Sequence, residues 1–148
     1  GVAWLIITDK ERLEKPTKPC LTITEGLMIG QELLNTLASS NDGVGLAANQ
    51  IGLNKSVCVI KVDKPIILVN PKITGKFGKS LFQEGCLSFP GDYIITERWT
   101  DIAVTASNHK EQLMFSFDRN ALECVCVQHE IDHLNGVTMY DRKSQMEL

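Results

Sequence analysis

Two of the three histidines in this chain stand four residues apart, in His129-Glu130-Ile131-Asp132-His133. On a helix, positions i and i+4 share one face about a turn apart, so both imidazoles can grip one metal ion. The Glu directly after the first His is then placed to take a proton from a water whose pKa the ion lowers, and to pass it to a leaving group. The bland alternative is a helix whose histidines are ordinary core or surface groups. Two of three histidines falling here beside that Glu speaks against it. The chemistry implied is metal-assisted hydrolysis, which needs a third protein ligand and one open coordination position.

Downstream, the pattern H-E-x-x-H-x-x-G-x-x-H is followed through Gly136 and fails at Met139. Beyond it only Asp141 and Glu147 could serve, in a tail too short to build a supporting element. The third ligand is therefore expected upstream, among five cysteines and His109. Cys86, in Gln83-Glu84-Gly85-Cys86-Leu87-Ser88-Phe89-Pro90, lies between a strand and a turn, with Gly85 allowing close backbone approach. Cys126 shares a helix face with His129, but ligands from one helix alone close a tetrahedral site awkwardly. Cys124, Cys126 and Cys58 read as small apolar core residues. Cys20 is unassigned, and His109 is placed in an exposed turn. On spacing alone, Cys86 leads the candidates.

These groups need elements to hold them. Glu25 to Ser39 reads as a first helix, with Leu27, Leu33, Leu34, Leu37 and Ala38 as its apolar stripe and Thr22 or Thr24 as its cap. Gly26 and Gly30 weaken it by about 1 kcal/mol each against Ala. Before it, Pro16 and Pro19 hold Leu13 to Cys20 extended. Val57–Val62, Ile66–Val69, Ile94–Thr96, Ile102–Thr105 and Leu113–Phe117 read as strands, with a hairpin turn at Asn108–Glu111. The last helix runs from Ala121 to Asn135, with Asn120 as N-cap and Gly136 as stop. The fold class is α+β: mostly antiparallel sheets packed around a C-terminal HExxH helix, with one N-terminal helix.

A length of 148 residues fits one compact domain, 1–148, and can bury a core without disulfides. A net charge of −3 gives no basic excess to track phosphates, so nucleic-acid binding is not expected. No apolar run approaches a membrane span of about twenty residues. The apolar start at Val2–Ile7 is too short for a secretory signal, so five cysteines imply a reducing compartment rather than a disulfide framework. Gly43–Ala48 fits G-x-G-x-x-A, but a helix precedes it where a dinucleotide fingerprint requires a strand. Gly78-Lys79-Ser80 resembles the end of a P-loop, yet Ile73 stands where that loop needs Gly.

Three segments together resemble a known family. Gly43–Gln50 (GVGLAANQ), Glu84–Ser88 (EGCLS) and His129–His133 (HEIDH, continuing LNG) are similar, in order and at about the same spacings, to the signature motifs of the peptide deformylases. Leu13 through Pro16 and Pro19 resembles the family's N-terminal segment, so the likeness spans nearly the whole chain. It implies a metallohydrolase removing the formyl group from N-formylmethionyl nascent peptides. The metal ligands would be Cys86, His129 and His133, and Glu130 the general base and acid. The Gln50 amide and the Leu87 backbone N–H would stabilise the oxyanion. Gly45 and Gly91 would hydrogen-bond the substrate backbone as an added strand. Val44, Phe82, Tyr93, Leu122, Val125 and Cys126 would line the methionine pocket, and Glu84 would pair with Arg98 to brace the ligand loop.

The same resemblance implies one divalent ion, Fe²⁺ as the native metal, with Zn²⁺, Ni²⁺ or Co²⁺ also suited to a thiolate and two imidazoles. It implies a monomer, in the cytoplasm or an organellar stroma-like compartment, in transient contact with the ribosome. Asn49 stands where proline is frequent. Tyr93 replaces an arginine of many bacterial members, which is closer to the organellar and plastid-like type. The twelve residues after Gly136 resemble the shortened phage-encoded members. Two other readings compete: a HExxH endopeptidase, and an inactive metal-stabilised peptide-binding module.

Overall fold

The computed structural model describes residues 4–146. Val2, at the start of the apolar N-terminal run, and Glu147 lie outside the described residues. A short helix, α1 (Lys10–Leu13), precedes the main N-terminal helix, α2 (Ile23–Ala38). The Thr22 hydroxyl caps α2 by accepting from the Glu25 N–H at 3.1 Å. Two three-stranded sheets follow, each antiparallel throughout: β1 (Gly45–Ala47), β2 (Val57–Ile60) and β3 (Ile66–Val69), then β4 (Lys72–Glu84), β5 (Ile94–Ala106) and β6 (His109–Ser116). The C-terminal helix α3 spans Phe117–Leu134. It is interrupted at Asn120, whose backbone is extended and whose side chain accepts from the Glu123 N–H at 3.0 Å. A single turn therefore precedes the helix that the sequence predicts from Ala121. Gly136, at φ +76°, ends it.

Helix α3 lies between the two sheets. Its Cys124, Cys126, Val127, Ile131 and Leu134 bury against Ala47, Cys58, Ile60 and Leu68 on one side and Ile102, Val104 and Phe115 on the other. The opposite face of the first sheet, through Val57, Val59 and Val69, packs on Leu33 and Leu37 of α2. The first sheet is thus covered on both faces, which is why Val57–Ile60 is buried at every position instead of alternating.

The structure departs from the sequence reading in four places. β4 and β1 are strands that periodicity did not signal. β5 is one strand of 13 residues, not two short ones. The tight turn falls at Ser107-Asn108, so His109 begins β6, half-buried, with Nε2 3.0 Å from the Ile67 carbonyl. Leu13 to Cys20 is extended only from Pro16, because Leu13 closes α1 and Glu14 caps it in a turn.

Candidate metal centre

One face of α3 presents His129 and His133, and the loop after β4 presents Cys86. Their donor atoms all lie within 4.8 Å of one another, the only such cluster among the described residues. His133 Nε2 is 3.2 Å from His129 Nε2 and 3.4 Å from Cys86 Sγ. Donors held tetrahedrally at about 2.3 Å (S) and 2.05 Å (N) would stand about 3.6 and 3.3 Å apart. The donor set therefore fits a single ion, with both imidazoles offering Nε2. Met139, where the downstream pattern would require a ligand, is buried core.

His129 keeps that orientation because its Nδ1 meets Glu84 Oε1 at 2.8 Å. Glu84 is the last residue of β4 and takes further bonds from β5. Arg98 donates from Nε and Nη2 at 2.5 and 2.8 Å, and the Thr96 hydroxyl donates to the same carboxylate. Arg98 in turn donates from Nη1 to Asp132 Oδ2 at 2.6 Å, and Arg142 closes the far side of Asp132. Burial alone would raise the Glu84 carboxyl. The hydrogen bonds from Arg98 and His129 outweigh it and hold its pKa at about 2. Burial also opposes charge on His129, but in the absence of an ion the surrounding Glu130, Cys86 and Glu84 outweigh it and raise its pKa above the usual histidine range. His133, buried and beside that imidazole, is driven well below the usual histidine range.

Glu130 is 4% exposed, and its Oε1 has no hydrogen-bond partner among the described residues. Burial pushes its pKa up to about 7, against the pull of His129. A cavity of about 420 Å³ opens beside it. Gln50 reaches the same cavity from the 3-10 turn Ala48–Ile51. Its carbonyl accepts from the Ala47 N–H at 2.9 Å, which turns its NH₂ toward Ser88 Oγ (3.1 Å) and Cys86 Sγ (3.7 Å). Gly45 on β1 has no room for a side chain: a Cβ there would sit 2.6 Å from Cys126 Sγ and 2.7 Å from Glu130 Oε2.

Val44, Gly45, Phe82, Leu87, Gly91, Tyr93, Leu122, Val125 and Cys126 all line this cavity with Cys86, His129 and Glu130. The structure thus gathers around one space the positions that three separate motifs single out. Arg98 lies behind it, buried under Glu84. Sequence reasoning missed Ser88, Thr96 and Asp132. Only Asp132 carried a signal, being three residues from His129 and so on the same helix face. Cys58 and Cys124 are fully buried, and Cys20 is buried beneath α2.

An α+β scaffold carrying a Cys-His-His donor set, with an unpartnered carboxylate and an oriented amide on one cavity, is the construction of a single-metal hydrolase. The family model for polypeptide deformylases matches residues 2–148, and the chain belongs to that family. It is 35% identical over 148 residues to a peptide deformylase of Hydrogenovibrio crunogenus, covering 97% of this chain and 86% of that protein. The peptide deformylase of Thermotoga maritima superposes with a TM-score of 0.85 at 31% identity, covering 97% of this chain and 99% of that one. A Synechococcus elongatus peptide deformylase in complex with actinonin superposes at 0.83 with 36% identity, covering 95% and 78%.

Proposed function

We propose that this protein hydrolyses the N-formyl group of N-formylmethionyl peptides on nascent proteins, releasing formate. What carries the reading is that Glu130, Gln50, Cys86 and His129 line one cavity with an apolar wall, with the buried His133 donor beside Cys86 and His129. That wall, of Val44, Phe82, Leu122, Val125 and Cys126, suits an unbranched thioether side chain. β1 is an edge strand of its sheet, which supports seating the peptide backbone along Gly45, with Gly91 lining the same cavity.

Cys86, His129 and His133 would hold one divalent ion, which supplies Lewis acidity for water activation and carbonyl polarisation. Our reading of the native ion is Fe²⁺; the donor set equally suits Zn²⁺, Ni²⁺ and Co²⁺. Glu130 takes the proton of the attacking water, a role its buried, unpartnered oxygen supports. As the formyl carbon becomes tetrahedral, the Gln50 NH₂ and the Leu87 N–H donate to the developing oxyanion. Glu130 then passes its proton to the methionine nitrogen as the C–N bond breaks. Tyr93 stands at the cavity mouth. Glu84 and Arg98 act behind His129, holding the ring that carries the donor.

Our reading extends to a monomer meeting emerging chains by transient ribosome contact, in the cytoplasm or an organellar stroma-like compartment. No helix among the described residues is long and apolar enough to cross a membrane. The test is formate release from a formyl-Met tripeptide, run with metal analysis. Wild type should release formate, and Glu130→Ala should lose about 10²–10⁴-fold while retaining the ion. No formate from metal-loaded wild type overturns the proposal, and cleavage of an unformylated peptide would favour an endopeptidase.

A further inference from the structure

The turn that carries Gln50 carries a second polar side chain with no part in the chemistry above. Asn49 donates from Nδ2 to the backbone carbonyl of His133 at 2.6 Å. Its own Oδ1 is buried and without a hydrogen-bond partner among the described residues, and His133 Nδ1 is orphaned in the same way. A buried amide that makes one bond and leaves its acceptor unmet costs about 1–3 kcal/mol. An apolar residue in the turn would avoid that cost, so stability does not account for the side chain.

The carbonyl it grips belongs to a buried donor at the very end of its helix. α3 ends at Leu134, so His133 projects from the last turn, where carbonyls lack intrahelical partners and helices fray. The His133 carbonyl also accepts from the Gly136 N–H at 3.0 Å, and the Leu134 carbonyl takes both the N–H and the hydroxyl of Thr17 at 2.9 Å. Asn49 is the tether that comes from the turn carrying Gln50. Consecutive side chains of one turn thus reach two of the three donor residues: Gln50 stands 3.7 Å from the Cys86 sulfur and Asn49 holds His133.

We propose that Asn49 is a positioning residue of the metal centre, clamping the Ala48–Ile51 turn to the last turn of α3 so that the Gln50 amide and the His133 imidazole keep a fixed separation. The inference rests on the metal-centre reading above and not on the identity of the substrate. Asn49→Leu, close in volume and unable to donate, removes the clamp. Metal release from the loaded protein into excess chelator should then be at least about tenfold faster. In the Co²⁺-substituted protein the thiolate-to-metal and d–d bands should shift. With formyl-Met tripeptide kcat should fall while KM holds, because the clamp sets where donors stand and not how peptide binds. The unfolding midpoint of the metal-free variant should stay near that of the parent. If Asn49→Leu does not accumulate as folded protein, Asn49→Ser, too short to reach His133, carries the same readouts. Release rates and Co²⁺ spectra indistinguishable from the parent would overturn the proposal. A parent that holds metal yet releases no formate would remove the reaction while leaving the Asn49 measurements decisive.

Discussion

Glu84 and Glu130 border the same cavity and are pushed in opposite directions, which separates their work. Glu84, held at a pKa of about 2, is a permanent anion. A carboxylate depressed in the folded state contributes stability that is present above its unfolded value of about 4.5 and is lost as pH falls toward 2. Urea midpoints should therefore drop through that window, and Glu84→Ala should flatten the drop. The same substitution leaves Arg98 buried with half its compensation and should destabilise by about 3–5 kcal/mol at neutral pH. Glu130 has the reverse sign. Its folded pKa of about 7 means that the unfolded chain ionises first, so stability declines from about pH 4.5 to 7. In metal-free protein, Glu130→Gln should match the parent at pH 4 and exceed it by up to about 3 kcal/mol at pH 8, read from urea unfolding. A residue whose removal stabilises the fold and stops turnover is kept for function. Gln50→Ala should lower kcat about 10²–10³-fold with metal content unchanged, and should cost about 1–3 kcal/mol of stability because the buried Ala47 N–H loses its acceptor.

The elements around these residues were unevenly legible in the sequence, and the reasons are physical. α2 and the second part of α3 carry caps and apolar stripes that local sequence writes plainly, and Ile66–Val69 is a run of β-branched and aliphatic residues, half-buried at Ile66 and Ile67 and buried at Leu68 and Val69. β5 reads as two fragments because Glu97, Arg98, Asp101 and neighbouring threonines break its alternation. Arg98 is nonetheless 3% exposed, since Glu84 and Asp132 neutralise it inside the sheet. β4 hides for the same reason and because its glycines and lysines lack β propensity. The site disguises the strands that support it. Of the site itself, the cluster on α3 was plain from i, i+4 spacing, and Cys86 led the upstream candidates on spacing before the family likeness pointed to the same residue. Asn49's grip on His133 had no local signal at all, being a contact between residues 84 positions apart. The two glycines that weakened α2 also find their reason at this scale. A Cβ on Gly30 would stand 2.5 Å from Ile67 Cγ2, and one on Gly26 2.5 Å from Val69 Cγ2, so α2 lies on β3 at a distance only glycine allows. On propensity, Gly30→Ala should stabilise by about 1 kcal/mol. Overpacking should reverse the sign to a loss of about 1–3 kcal/mol, measured by urea unfolding, with metal content unchanged.

At the scale of the whole molecule the donor set joins parts that no short stretch of chain joins. Cys86 leaves the second sheet, His129 and His133 belong to the helix between the sheets, and the Asn49-Gln50 turn extends from the first sheet. An ion held by these donors therefore cross-links the layers, and it binds only when they are assembled. A ligand of the folded state alone stabilises by RT ln(1 + [L]/Kd), about 4 kcal/mol when free metal stands a thousandfold above Kd. Chelation should lower the unfolding free energy by about that amount, and the loss should grow with the logarithm of the metal concentration withdrawn. Cys86→Ala separates this linkage from ordinary packing. Its thiol is half-buried at a loop, so metal-free variant and metal-free parent should unfold within about 1 kcal/mol of each other. The variant should nevertheless lose most of the stabilisation that added metal gives the parent. Parent midpoints that do not move with chelator would mean that the folded state holds the ion no more tightly than the unfolded chain does. In that event the Arg98 network, which spans β4, β5, α3 and the Met139–Arg142 turn, would be what joins the layers, and Arg98→Met rather than chelation would be the substitution that separates them.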